Sequence, residues 1–404
     1  LSIRSSQAGE QSKLILDDTS GTQTLQFLDV KDSNAQGGQL LICTDCVDSG
    51  NNLNWAFHSI VGTAYSDEGT TALAGESVAI SFNGGTATDT DITDAGGQFS
   101  FSGAAMTGGT IITIYFDGGT ATGVTVVLGS GTAMTGMNLF QNRLIVRSES
   151  GSAAVTNVHL DVANNNGDSD ITSVITSASS SAVTIADAKE LFVWTGSTLT
   201  PGGTITVDDI DINGTLTMGT NNATVSGTWD AANGTFTSSA LVTFDSTASE
   251  TVRSNGNSFS GVTLNGVGGT WTPQDALDVN GTFNLLAGTF SQNSKNVNIA
   301  EDLRIASGAT YTTVFDTGLL TLDGDLILED ETSVNLGTVQ IGVGTDTVTL
   351  SGALRVHKLT VGTGDTLVLS GQNLFVGTGG LFIHGVLDAS DNGTNNSVIT
   401  VSGS

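Results

Sequence analysis

Between about Gly203 and Ser404 the sequence is strand after short strand, each closed by a small polar turn, and no helix-length apolar pattern interrupts it. IDINGTLTM at 210–218, LDVNGTFNL at 277–285, LLTLDGDLIL at 319–328 and TVTLSGALRV at 347–356 alternate apolar and polar residues. That is the period of a strand with one buried face. The triplets Val279-Asn280-Gly281, Ile299-Ala300-Glu301, Leu322-Asp323-Gly324 and Leu350-Ser351-Gly352 follow one another at spacings of 20, 23 and 28 residues. Self-similarity at such a period is the signature of a solenoid, in which each lap buries its apolar positions only by stacking on its neighbours. The pattern predicts an all-β chain folded as a right-handed parallel β-helix. A string of small β-sandwiches would also give many short strands, but with a repeat nearer about a hundred residues.

The composition agrees. The 404 residues include 53 Gly but only 2 Pro, and 38% are hydrophobic, enough for real cores in more than one domain. Gly without Pro, beside abundant Thr, Ser, Asn and Val, describes tightly turned β structure rather than a disordered linker.

A formal charge of −29 with only 11 Lys and Arg, scattered from Arg4 to Lys358, argues against nucleic acid and against an anionic membrane surface as partners. The apolar runs are far shorter than the roughly 20 residues that span a bilayer, so no membrane insertion is expected. Leu1 is not preceded by Met and opens no basic-then-apolar leader, which suggests a portion of something longer. The two cysteines, Cys43 and Cys46 in LICTDCVDSG, are too few for a tetrahedral metal site, and a turn follows them where a redox motif would need a helix. The reading is a local disulfide in an oxidising compartment, with free thiols and then a metal as the alternatives.

In chain order, residues 1–57 carry alternating segments and read as a few laps of β-coil. Leu1 to Ser5 resembles Leu144 to Ser148, and Leu28-Asp29-Val30 resembles Leu160-Asp161-Val162. The open strand edge at Leu1 and Ile3 should want a partner. Residues 58–138 change character: alternation in VAISF, FSFSG and IITIYF gives a two-layer β domain. This stretch also resembles the carboxypeptidase regulatory-like family of small Ig-like sandwiches, through Gly62, Tyr65, Asp67, Gly69, Leu73, Gly75, Val78, Thr93, Asp94, Gly97, Phe99 and Phe101. Ala72 stands where that pattern usually has Pro. The resemblance implies a spacer or adhesion module with no catalytic residues to carry over.

Residues 139–404 return to the coil pattern, and IADAKELFVW at 185–194 is their only stretch with helical spacing, equally readable as a lap closure. The last alternating strand, NSVITVSGS, places Val398, Ile399 and Val401 at a second open edge. As a whole, the order coil, sandwich, coil resembles secreted bacterial surface proteins that join β-helix segments to Ig-like modules. The turn phrases NGT, NGVGGTW at 265–271 and DSGNNLNWAF at 48–57 carry that likeness.

Candidate chemistry is sparse. A carbohydrate-cleaving enzyme needs carboxylates converging on one face, often beside a cation. Asp208, Asp209 and Asp211, Asp323 and Asp325, and Glu329, Asp330 and Glu331 are clustered in sequence with no basic residue among them. Turn and surface acids account for them in a chain with 40. Calcium is the one candidate cofactor: Asn164, Asn166, Asp168 and Asp170 alternate oxygen ligands around Gly167, with Asp89, Asp91 and Asp94 a weaker set. Ordinary Asx turns explain both sets as well. His58, His159, His357 and His384 are dispersed strand residues, and Trp55, Trp194, Trp229 and Trp271 fill solenoid corners unless a row of them faces solvent to stack on sugars. The sequons, Asn213 to Asn395, are first of all turns.

The function expected is that of a structural subunit of an extracellular filament or surface layer, self-assembling with other copies head to tail through solenoid edges. The alternative is an adhesin stalk or carbohydrate-binding β-helix with surface glycans as partners. A polysaccharide-degrading enzyme ranks below both.

Overall fold

The computed structural model describes residues 1–16, 25–39, 41–44, 46–57, 59–102, 107–151, 153–390 and 396–402. His58, Asn392, Asn395 and Ser404 lie outside them. The fold is an all-β parallel β-solenoid with almost no helix. It divides into two compact units, Leu1–Ala178 and Ser179–Ser404.

In the second unit the described strands pair in parallel, lap upon lap, and the registers place apolar residues in columns about 4.8 Å apart per step. One column runs Phe259, Val279, Ile299, Leu322, Ile341, Val361, Ile383. A second runs Val242, Val262, Phe283, Leu303, Leu328, Leu350. Three of the four triplets picked out by their spacing are therefore stacked. The fourth is not: Ile341 follows Leu322, while Leu350 sits on Leu328 on another face. Alternation looks alike on every face of a lap, so spacing alone misassigns the column.

Aromatic residues fill the wider part of the core. Buried Trp229 meets Phe236, Phe259 and Phe244 at ring-centroid distances of 4.9, 5.3 and 6.3 Å. Trp271, Phe290 and Tyr311 form a further buried column.

The NGT phrases act through close approach between laps. A Cβ on Gly214 would lie 2.3 Å from the Trp194 carbonyl oxygen, and one on Gly234 2.2 Å from that of Ile212. Neither glycine has a positive φ, so the need is for space rather than for left-handed backbone. The stretch 185–194 is not helical: a turn at 186–189 joins the strand Ala182–Ile185 to the strand Glu190–Val193, which takes up the rest of it.

The first unit opens with short parallel strands on three faces: Ser2–Arg4 with Asp29–Lys31 and Val47–Asp48, Ser12–Lys13 with Ser33–Asn34, and Leu25–Gln26 with Leu41–Thr44 and Trp55–Ala56. Pairing then becomes antiparallel. Ser77–Phe82 lies between Asp89–Ile92 and Ile111–Phe116, the latter pairs with Val124–Leu128, and Ser59–Tyr65 pairs with Gln98–Ser102. Ile60, Phe99 and Phe101 from one sheet share a core with Ile80, Ile112, Ile114 and Phe116 from the other.

Two short helices follow, α1 (Asn157–Asn164) and α2 (Ser169–Thr172), where the sequence reads as coil. The likeness of Leu160-Asp161-Val162 to Leu28-Asp29-Val30 is thus without structural meaning, since the first is helical and the second ends in a strand. Asn157, Leu160 and Ala163, three apart, are the buried face of α1. The backbone N–H of Thr156 donates to His159 Nδ1 at 3.1 Å and fixes the start of the helix.

Candidate functional site

The calcium candidates straddle the junction between the two helices. Asn164 is the last residue of α1 and Asp168 is the N-cap of α2, accepting the Asp170 backbone N–H at 2.9 Å. The fold adds a group that the spacing could not reveal. Asp117, at the end of the strand Ile111–Phe116, brings its carboxylate to Asp168 and Asp170, with oxygens of all three within 4.8 Å of one another. Tyr115 donates its hydroxyl to Asp168 Oδ2 at 3.2 Å, and the Gly118 N–H donates to Asp170 Oδ2 at 2.9 Å. Burial, then the charges of Asp168 and Asp170, push the Asp117 carboxyl above its ordinary range. Burial and the Asp168 carboxylate push the Tyr115 hydroxyl up as well. Asn164 Oδ1 is a buried acceptor without a hydrogen-bond donor. Three hard oxygen donors and crowded negative charge suit a divalent cation. Of the weaker set, Asp89 and Asp91 accept the following N–H groups, Asp91 also takes Ser100 N–H, and Asp94 accepts those of Gly96 and Gln98. That is turn chemistry.

Many acids of the solenoid laps have structural partners. Asp209 accepts the Thr228 N–H of the next lap at 2.6 Å, Asp208 that of Ala188 at 3.0 Å, and Asp325 that of Thr347 at 2.7 Å. Burial, then Asp209, raises the Asp208 carboxyl. Asn222, Asn296, Asp302 and Asn373 do the same for Leu241, Leu319, Ile327 and Val398, so an Asx side chain at a lap corner ties one strand start to the lap before it. Asp330 closes the column Leu264, Leu285, Ile305 and is buried, its Oδ1 accepting the N–H groups of Thr332 and Ser333. Glu329 and Glu331 meet a cation that sequence proximity did not supply: Arg304 reaches them at 3.1 and 2.9 Å.

Cys43 and Cys46 are joined in a disulfide, with Cα atoms 5.7 Å apart, and Cys46 Sγ accepts the Leu28 N–H at 3.3 Å. Cys43 shares a small core with buried Leu28 and Val30, and Cys46 packs against it. Trp229 and Trp271 are core residues, and Trp55 stacks on Phe57. The tryptophans therefore make no exposed row among the described residues. His357 packs flat on Phe315 with its Nε2 3.2 Å from Asp316 Oδ2, and His159 belongs to the cap of α1.

The strand edges are the remaining candidates. Ile399–Val401 pairs with Leu374–Val376, setting Ile399 on Leu374 and Val401 on Val376. Leu374 and Val376 are core residues, whereas Ile399, Val401 and Val398 are exposed. At the other edge Leu1 is exposed and Ile3 half-buried, on the strand paired with Asp29–Lys31. Among the described residues no helix is long and apolar enough to cross a membrane.

Comparison with protein-family models, with curated proteins and with solved structures finds no match for this chain.

Proposed function

We propose that this chain is a structural subunit of an extracellular filament or surface layer, in which the laps of one copy continue head to tail onto the laps of the next. What supports the reading is the column that ends at Ile383: six positions from Phe259 to Val361 are fully buried, and Ile383, in the same register, is 42% exposed. With Ile399 and Val401 it presents core-type side chains on an uncovered lap. A further parallel strand laid there would bury them at about 25 cal/mol per Å² and pair the free backbone groups of the edge. The occupant is the first lap of another copy, whose strand Ser2–Arg4 offers Ile3 and an edge that is unpaired among the described residues. Such a contact joins different surfaces and does not close on itself, so it propagates.

Within this reading residues 58–138 are an inserted carboxypeptidase regulatory-like, Ig-like sandwich acting as a spacer, and the solenoid has the right-handed sense of parallel β crossovers. The Cys43–Cys46 bond fits an oxidising, extracellular setting. The Asp117, Asp168 and Asp170 cluster is read as a stabilising calcium site rather than a catalytic one.

Electron microscopy and sedimentation of the purified chain test the proposal. Filaments that vanish on Ile383→Asp are expected. Monomers at high concentration, with and without calcium, would sink it.

A further inference from the structure

The chain holds six arginines and 40 acidic residues, and five of the six are spent on ion pairs: Arg4 with Asp29, Arg143 with Glu68, Arg147 with Glu149, Arg253 with Asp230, and Arg304 with Glu329 and Glu331. Arg355 is the exception among the described residues. Its guanidinium carbon lies 4.5 Å from the centroid of the Phe375 ring, a cation–π contact in place of a carboxylate. The two line a groove of about 310 Å³ with Asn335, Gly377, Thr400 and Ser402. No acid lines it.

The registers explain the arrangement. Asn335 bridges to Arg355, Arg355 pairs with Phe375, and Phe375 pairs with Thr400, so amide, guanidinium, ring and hydroxyl follow one another across four laps. At the usual inter-strand spacing that ladder is about 14 Å long. The pairing slips beside it, between Val356 and Lys358, where a β-irregularity sets His357 against Gly377 and Gly379. Gly377, which lines the groove, stands against His357, whose Cα and carbonyl oxygen would each lie 3.2 Å from a Cβ there.

We propose that this groove binds a short saccharide carrying a carboxylate, a uronic-acid sugar. The Arg355 fork takes the carboxylate, an interaction whose planar geometry it matches and an ammonium would not. The apolar ring of Phe375 packs against the sugar, and Asn335, Thr400 and Ser402 exchange hydrogen bonds with its hydroxyls. A neutral sugar would leave unused the one arginine that has no ion pair among the described residues. A long polyanion would meet the repulsion of a surface with net charge −29. The site does not depend on the filament reading; it gives the carbohydrate-binding alternative a location and a ligand class.

The test is calorimetric titration of the full chain with trigalacturonate, with a neutral galactose trimer and a sulfated galactose as the other arms. Expected are measurable binding of the uronate trimer, a loss of at least about tenfold in Arg355→Gln, and no change in Arg304→Gln. Phe375→Leu should weaken it too, and Ile383→Asp, which addresses assembly, should not. Absence of binding, equal binding of the neutral trimer, tighter binding of the sulfated sugar, or an unaffected Arg355→Gln would each overturn the proposal. Sedimentation of the same samples reports assembly separately, so either idea can fail alone.

Discussion

Ile383 stacks one lap beyond Val361 in the same column, and the two side chains are 42% and 0% exposed. Among the described residues no strand stacks on Ile383 beyond Val361. Ile383→Asp is therefore expected to change the stability of the isolated chain by no more than about 0.5 kcal/mol, as exposed substitutions do, while abolishing end-to-end growth. Denaturant midpoints and sedimentation measured on one preparation separate the two effects.

Trp229 makes the opposite case, buried among Phe236, Phe244 and Phe259. Trp229→Ala should cost about 3–5 kcal/mol, the range for deleting a large aromatic from a core, read as a fall in the urea midpoint at unchanged slope.

Gly234→Ala would drive a methyl to within 2.2 Å of the Ile212 carbonyl oxygen and 2.5 Å of that of Gly214. A loss of about 1–3 kcal/mol is expected. Gly344→Ala is the control, since the nearest atom there is 3.8 Å away, and its effect should stay below about 0.5 kcal/mol.

The raised carboxyl of Asp117 makes a signed prediction. A group whose pKa is raised on folding binds its proton more tightly in the native state, so stability falls as pH rises from the ordinary carboxylate value of about 4 through the raised one. Asp67 and Glu331, lowered chiefly by their hydrogen bonds, act in the reverse sense: their contribution is lost as pH falls through their lowered values. Thermal stability should accordingly be higher just above pH 4–5 than at pH 8, then collapse in stronger acid. Asp117→Asn should raise stability at pH 8 by up to about 1 kcal/mol after solvent screening. Calcium should give the wild type the same gain and the variant none.

Tyr311 is buried beneath its lap with its hydroxyl 3.3 Å from Gln292 Oε1, and burial raises its pKa. The unfolded chain would ionise near pH 10, so stability should decline above about that value. Circular dichroism and tyrosinate absorbance across an alkaline titration should move together, and Tyr311→Phe should delay the transition.

The solenoid was legible because Val279, Ile299 and Leu322 repeat at near-equal spacing on one face. The error at Leu350 arose where lap length changed and a different face offered the same alternation. The helix α1 was hidden by Val158, Val162 and a run of asparagines, residues of low helical preference; only the threefold spacing of Asn157, Leu160 and Ala163 marked it. Asp117 joins Asp168 through a strand 53 residues upstream, at Tyr115, and no local pattern carries that information. Likewise, the isolation of Arg355 from acids is a property of neighbours supplied by other laps.

The columns of the second unit also govern how it comes apart. Laps are joined chiefly to the one before and the one after, with His357 also reaching Phe315 and Asp316 two laps back, so stability is close to a sum of nearest-neighbour terms. Amide exchange should then be fastest at the lap that carries Ile383 and Ile399 and slow progressively toward Trp229, the way a zipper opens from its end. Whatever covers that lap would raise protection through several laps that it never touches.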